Sequence, residues 1–141
     1  MSNGLSVYLV IPAVAWFVAQ LLKGIFELSK PAKERNRRFL RSGSMPSAHS
    51  ATILALLTVI GVRMGTESPL FGVVAILAAI VLYDAVNVRR AVGEHGDVLK
   101  ELLSLSKRER SFFSAHGHTI TEILVGAVIG VAVAAIMLQI L

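Results

Sequence analysis

Four long apolar segments, separated by polar stretches, dominate the hydropathy pattern of the chain. They cover residues 5–26, 47–64, 70–88 and 119–141. A helix needs about 20 apolar residues to cross a bilayer core of roughly 30 Å, so these segments predict transmembrane helices. The pattern therefore predicts an all-α integral membrane bundle of about four transmembrane helices, forming a single membrane domain over residues 1–141.

The polar stretches between these segments differ in length and charge. Residues 65–69 are typical of a tight turn, whereas residues 27–46 and 89–118 are two long basic loops. Within the second loop, apolar residues repeat at helical spacing over residues 97–113. This spacing predicts one interfacial amphipathic helix, with its basic residues facing lipid headgroups.

Composition agrees with a membrane protein and excludes several kinds of chemistry. The 141 residues are 55% hydrophobic and 16% charged, and their mean hydropathy is +0.70. The net charge of +5 does not predict nucleic-acid binding, because the basic residues cluster between apolar helices. The chain contains no cysteine, which excludes disulfides, a thiolate nucleophile and a Cys-based metal site.

The basic residues also predict the orientation in the membrane. All 14 Lys and Arg residues except Arg63 lie in or beside the two long loops. The positive-inside rule therefore places both loops in the cytoplasm. Both termini then lie outside, and a bacterial-type plasma membrane is the expected location.

This topology brings polar residues of distant segments to one membrane face. The end of the first and third spans and the start of the second and fourth all lie there. Nearly all ionisable residues within or beside the spans belong to this set: Lys23, His49, Asp84, Arg89, Arg90, His118 and Glu122. Charged groups in the membrane are costly and usually line a functional site, so we expect a site at this face.

The start of the second span has the composition of an anion-binding helix N-terminus. Ser44 is predicted as the N-cap, with Pro46 in the first turn, where its missing N–H costs nothing. The N–H groups near Ser47, Ala48 and His49 would then face an anion at the positive end of the helix dipole. His49 adds a group that exchanges a proton near neutral pH.

Each of the other candidates also has a simpler interpretation. Lys23 would reach the headgroups by snorkelling, and Asp84 would pair with a cation on another helix. Arg89 and Arg90 would serve as positive-inside anchors. Cations, a helix N-terminus and two histidines suit a phosphate ester, whereas two histidines beside two carboxylates would alternatively hold a metal.

Two interpretations of Glu122 compete. Residues 119–122 form a capping-box pattern, in which Thr119 is the N-cap and Glu122 bonds back to its N–H. Alternatively, His118 and Glu122 share a helix face if the helix extends back to His118. The carboxylate would then fix the tautomer of the imidazole. We favour the histidine partner.

At this point the motifs resemble those of a known family. Pro46-Ser47-Ala48-His49 resembles the Pro-Ser-Gly-His signature of type 2 phosphatidic acid phosphatases, and His118-(x3)-Glu122 resembles their His-(x3)-Asp signature. The chain is most similar to their divergent, haloperoxidase-related branch. That similarity extends in order over Gln20-(x2)-Lys23, the stretch 42–51, Tyr83-Asp84-Ala85-(x2)-Val88-Arg89-Arg90 and Gly117-His118-Thr119-(x2)-Glu122.

The resemblance implies a metal-independent phosphatase with no cofactor, acting on a lipid phosphate or pyrophosphate. His118 would attack phosphorus to form a phosphohistidine, Glu122 would orient it, and His49 would protonate the leaving oxygen. The candidate phosphate-binding residues are Lys23, Ser47, Ala48, Asp84, Arg89 and Arg90. Fixed cations and dipoles aimed at the phosphoryl oxygens supply most of the catalysis in such transfers.

Three alternatives stay open at this point. In the first, the chain is a non-catalytic membrane protein that binds or transports phosphate or lipid headgroups. In the second, it is a metal-dependent hydrolase that uses His49, Asp84, His118 and Glu122. The third is a homodimer. Members of the wider family have a six-helix core, whereas four spans fit here, so a second copy of the chain would complete the bundle.

Overall fold

The protein is a bundle of α-helices, seen in a computed structural model that describes residues 4–28, 45–105 and 119–141. The helices are α1 (Gly4–Leu28), α2 (Ala48–Met64), α3 (Pro69–Val86), α4 (Val88–Leu105) and α5 (Ile120–Ile140). Their outward faces expose large apolar side chains such as Phe17, Ile76 and Val128. A surface of this kind belongs in lipid, so the predicted helical membrane bundle is confirmed.

The helices differ in whether they are long enough to cross a bilayer. Within the described ranges, three stretches are long and apolar enough: Val7–Leu28, Pro69–Leu103 and Ile120–Ile140. The second of these runs from α3 into α4. The predicted second span corresponds to α2, which has 17 residues and is about 25 Å long at 1.5 Å per residue.

Helix α2 lies at the centre of the bundle and packs against α1, α3 and α5. Its contacts with α1 and α5 use small residues at four-residue spacing. The buried stripes are Ile11, Ala15 and Ala19 on α1, Ala51, Ala55 and Val59 on α2, and Gly126, Gly130 and Ala134 on α5. In lipid the hydrophobic effect does not drive helices together, so they associate through van der Waals packing. Small side chains increase that packing because they let the backbones approach closely.

Two glycines of α5 lie directly against the backbone of the α2 segment. A Cβ atom on Gly126 would overlap the carbonyl oxygen of Ser47, and one on Gly130 would overlap that of Ala51. Since Gly126 faces Ser47 and Gly130 faces Ala51, α5 runs parallel to α2. The Ser47 end of α2 therefore lies beside the first turns of α5.

Helices α2 and α3 are joined by a tight turn, as the sequence predicts. Gly65 ends α2 at a φ of 83°, a conformation that glycine adopts without strain, and Ser68 caps α3 by accepting the N–H of Phe71 at 3.3 Å. The two helices then pack antiparallel. A buried cluster of Ile53, Ile60, Val74 and Ala78 fills their contact.

Helix α4 corrects the predicted position of the amphipathic helix. The described helix spans Val88–Leu105, so it begins before the predicted start at residue 97, and residues 91–105 are helical rather than part of a polar loop. Residues 106–113 lie outside the described residues. Asn87, the C-cap of α3, keeps a helical backbone and accepts the N–H of Ala91 at 3.0 Å. The chain therefore turns from α3 into α4 without a loop. The apolar side chains Val92, Leu99 and Leu102 of α4 are exposed.

Candidate functional site

The packing brings four helix ends to one end of the bundle. Helix α1 packs antiparallel to α2, since Ala19 contacts the start of α2 while Ile11 and Ala15 contact Ala55 and Val59. Helix α3 is also antiparallel to α2, and α5 is parallel to it. The ends of α1 and α3 and the starts of α2 and α5 therefore lie together, as the predicted topology requires.

The start of α2 differs from the predicted cap. Ser47, and not Ser44, is the N-cap: its φ and ψ are −73° and 110°, and its Oγ accepts the N–H of Ser50 at 3.4 Å. The hydroxyl of Ser50 also donates to this Oγ, at 2.9 Å. Pro46 consequently precedes the cap instead of lying in the first turn. The fully buried Ser50 stabilises this cap, because both its N–H and its hydroxyl donate to Oγ of Ser47.

The N–H of Ser47 joins the second motif segment to the third. It donates a hydrogen bond of 3.1 Å to the carbonyl oxygen of Glu122 in the first turn of α5. The absence of a side chain on Gly126, one turn further along α5, lets the two backbones come this close. Segments about 75 residues apart in the chain are thereby held at a fixed distance.

Two polar groups of Ser47 that were expected to face an anion already have partners within the protein. The N–H and the Oγ of Ser47 both serve contacts within the protein. The cap does not use the N–H groups of Ala48 and His49, which lie in the first turn at the positive end of the helix dipole. Ala48 is nearly buried, whereas the side chain of His49 is exposed.

Glu122 forms the capping box that the sequence analysis did not favour. Its Oε2 accepts the N–H of Thr119 at 3.0 Å, and its own N–H donates to Oγ1 of Thr119 at 3.3 Å. Thr119 is the extended N-cap, and α5 begins at Ile120. The expected contact between Glu122 and His118 stays a prediction, because His118 lies outside the described residues.

Glu27 is a charged residue that the sequence analysis missed. Its side chain is only 2% exposed, although it lies near the end of a helix that faces lipid. It follows Lys23 by one turn, and both continue the buried stripe of Ile11, Ala15 and Ala19. The four-residue period of that stripe, extended through Lys23, is the signal that would have found it.

Lys23 lies between two carboxylates at this end of the bundle. It is half-buried and interacts electrostatically with Glu27 on its own helix and with Glu122 on α5. Lys23 thus links α1 to the capped start of α5. Both carboxylates favour the charged form of Lys23, whereas its partial burial opposes it.

Of the remaining candidates, only Asp84 has a described side chain. Asp84 is half-buried near the end of α3, where it flanks the buried Ala85. Arg89 and Arg90 belong to the first turn of α4, and their side chains lie outside the described residues. His118 lies outside them as well, one residue before Thr119.

The described ranges offer no cluster for the metal alternative. No group of three His, Cys, Asp or Glu side chains in residues 4–28, 45–105 and 119–141 comes together in a way that would hold a metal ion. A metal site built on His49, Asp84 and Glu122 would therefore depend on His118.

The capping role of Glu122 is testable by comparing two substitutions. We expect Glu122→Ala to lower the free energy of unfolding by about 1 kcal/mol, because it removes one of the two bonds of the box. Glu122→Gln should cost less, since glutamine at this position also caps. Thermal unfolding in detergent measures both. Equal losses in the two variants would instead show that the charge of Glu122, acting on Lys23, is its main contribution.

Comparison with known proteins agrees with the ordered motifs. A family model described as the Divergent PAP2 family matches residues 5–133. The chain is also similar to the uncharacterized membrane protein YuiD of Bacillus subtilis (strain 168), with 45% identity over 62 residues. That similarity covers 44% of this chain and 39% of YuiD, so it spans less than half of either protein. No solved structure matches the chain. Because the family model covers most of the chain in one continuous match, this protein belongs to the Divergent PAP2 family.

Proposed function

We propose that the protein is a metal-independent membrane phosphatase that hydrolyses a lipid phosphate or pyrophosphate through a phosphohistidine. The observation that carries the proposal is the 3.1 Å hydrogen bond from the N–H of Ser47 to the carbonyl of Glu122. It holds the segment that contains His49 beside the segment that follows His118. This contact supports the proposal, because it joins the turn that carries His49 to the helix whose N-cap, Thr119, follows His118 in the sequence.

The reaction is a double displacement at phosphorus. A ring nitrogen of His118 attacks the phosphorus, and the bond from phosphorus to the lipid oxygen breaks as the new P–N bond forms. The His49 imidazolium donates its proton to that oxygen, so the lipid leaves as an alcohol, or as a monophosphate if a pyrophosphate reacts. Water then attacks phosphorus while His49 takes a proton from the water, the P–N bond to His118 breaks, and inorganic phosphate and the free His118 imidazole are released.

Positive charge and helix dipoles would stabilise the phosphoryl group during both steps. The first-turn amides of Ala48 and His49 supply the dipole of α2, and Lys23 supplies a fixed cation. Because Glu27 and Glu122 act on Lys23, we expect further arginine or lysine side chains to contribute positive charge. In the sequence just before α2 the chain carries six of them, at Lys30, Lys33, Arg35, Arg37, Arg38 and Arg41.

The capping box gives Glu122 a different role from the one expected of it. Its carboxylate holds the N–H of Thr119, the residue that follows the proposed nucleophile. Glu122 would therefore position His118 through the backbone, by fixing the direction in which the chain enters α5.

The apolar outer faces of the helices would hold the lipid tail beside the site. A cytoplasmic location stays a prediction of the charge distribution.

Purified protein in mild detergent tests the function directly. We expect phosphate release from one or more members of a panel of lipid phosphates and pyrophosphates, in excess EDTA, with competitive inhibition by vanadate. Phosphate release that is lost in EDTA and restored by a divalent ion would contradict the metal-independent mechanism. Vanadate binding without any turnover would contradict catalysis and favour the non-catalytic anion-binding alternative.

A further inference from the structure

The contact between α2 and α3 has a register that can be followed to the site. Gly61 of α2 faces Phe71 of α3, since a Cβ on Gly61 would lie 3.0 Å from Cε2 of the phenylalanine ring. Twelve residues back along α2 from Gly61 is His49, and twelve residues forward along α3 from Phe71 is Tyr83. Equal steps along antiparallel helices stay level, because each residue adds the same rise of about 1.5 Å. His49 and Asp84, the neighbour of Tyr83, thus lie at the same height.

The faces of the two helices agree with this register. His49 lies one turn before Ile53, whose side chain is buried in the contact with α3, so the two share a face of α2. On α3, Tyr83 is 66% exposed and points outward, whereas Ala85 is 3% exposed and points into the bundle. Asp84 flanks Ala85 and is half-buried.

The other charged groups near this end belong to different contacts. Lys23 and Glu27 lie on the stripe of α1 that faces Ala51 and α5, and Glu122 caps α5 and acts on Lys23. From α4, Arg89 and Arg90 follow Asp84 closely along the chain, with side chains outside the described residues. Among the described acids, Asp84 is therefore the one that the register of α2 and α3 brings level with His49.

We propose that Asp84 is a positioning residue for His49: its carboxylate accepts the N–H of one imidazole nitrogen and directs the other nitrogen toward the ligand. This role replaces the expected one in phosphate binding, for which Asp84 is poorly suited because a carboxylate repels a phosphate dianion. A carboxylate in this position selects one tautomer of a neutral imidazole and stabilises the imidazolium. The catalytic consequence rests on the proposed function, in which the imidazolium is the form of His49 that protonates the leaving oxygen.

The spectroscopic signature of His49 tests the pairing without any assay of activity. In protein with ¹⁵N-labelled histidine, the ring signals of His49 are assigned by their loss in His49→Gln and are recorded at a pH where the ring is neutral. We expect wild type to show two well-separated ring signals, one of an N–H nitrogen and one of an acceptor nitrogen. In Asp84→Ala the two signals should move toward each other, because both tautomers become populated and exchange.

Three further variants make the result specific. Asp84→Glu should restore the single tautomer at least in part, and Asp84→Asn keeps the shape while removing the charge, in case the alanine variant fails to fold. The matched control is Asp97→Ala, which removes the same carboxylate from an exposed position on α4 and should leave the His49 signals unchanged. Emission of the single tryptophan, Trp16, reports whether each variant is folded.

The outcomes separate this inference from the proposed function. Unchanged His49 signals in both Asp84→Ala and Asp84→Asn would overturn the pairing, whatever the activity of the wild type. Equal changes in Asp97→Ala would overturn it too, because the effect would then be nonspecific. A single tautomer that depends on Asp84, in a protein that releases no phosphate, would support the pairing while contradicting the phosphatase proposal.

Discussion

Replacement of Gly126 by alanine is expected to lower the free energy of unfolding by about 3 kcal/mol and to separate α5 from the start of α2. The added methyl group would overlap the carbonyl oxygen of Ser47 and lie 3.1 Å from its carbonyl carbon. A flexible side chain would move aside at little cost, but this neighbour is backbone within the buried cap of α2. Helix α5 must therefore shift, and the bond from the N–H of Ser47 to Glu122 lengthens or breaks.

A matched substitution separates this clash from the general effect of alanine in a helix. Gly72 lies in α3, and a Cβ there would meet no atom within 4 Å. Gly72→Ala should stabilise the protein slightly, by up to about 1 kcal/mol, because alanine is the better helix former. Thermal unfolding in detergent and phosphate release measure the two variants side by side. If Gly126→Ala were as stable and active as Gly72→Ala, the close contact of α5 with Ser47 would not exist in solution.

Replacement of His118 by alanine is expected to reduce phosphate release by about 10⁴-fold or more, with little change in stability. The phosphoryl group has no other acceptor in the proposed reaction, so removal of the nucleophile stops the first step. His49→Ala should be less severe, at about 10²- to 10⁴-fold, because it removes only proton transfer. Brief reaction with a ³²P-labelled lipid phosphate followed by acid-free denaturation should trap label on wild type and none on His118→Ala.

A histidine outside the site supplies the control for this comparison. His95 is exposed on α4, away from the contact of α2 with α5. His95→Ala should keep wild-type turnover and the same amount of trapped label. Turnover in His118→Ala above a tenth of wild type, or label that persists in it, would contradict the phosphohistidine mechanism.

The central position of α2 explains why stability and the site are coupled. Its first turn carries His49 and the amides that we propose to bind an anion. Ser50 contacts Ser47 within the same segment, and the carbonyl of Glu122 accepts the N–H of Ser47 from α5. A change that loosens this packing therefore also moves groups that would bind the phosphoryl oxygens. Substitutions at Gly126 and at Asp84 should consequently differ in kind: the first alters stability and the site together, and the second alters His49 alone.

Much of this architecture follows from the sequence by itself, because burial of apolar residues in lipid leaves few choices. Long apolar segments and turn residues located α1, α2, α3 and α5, and the alternation of span directions placed four helix ends together. The ordered motifs also identified the family, since their residues and spacing are visible without any structure. Neighbouring residues were enough to predict the structure where the local sequence determines it, as at the turn of Gly65 and Ser68 between α2 and α3.

Only the tertiary structure decided how those helix ends use their polar groups. Ser47 became the N-cap because Ser50 and the carbonyl of Glu122 are available to it, and the second of these belongs to a distant segment. Glu122 capped Thr119 because the chain enters α5 extended at that residue. Glu27 is buried because the stripe of α1 faces α2 and α5, a fact that depends on helix rotation. Hydropathy specifies that a helix crosses lipid. The rotation of each helix about its axis and its register against its neighbours are set by close contacts, such as that of Gly126 with Ser47, and these contacts are visible only in the packed structure.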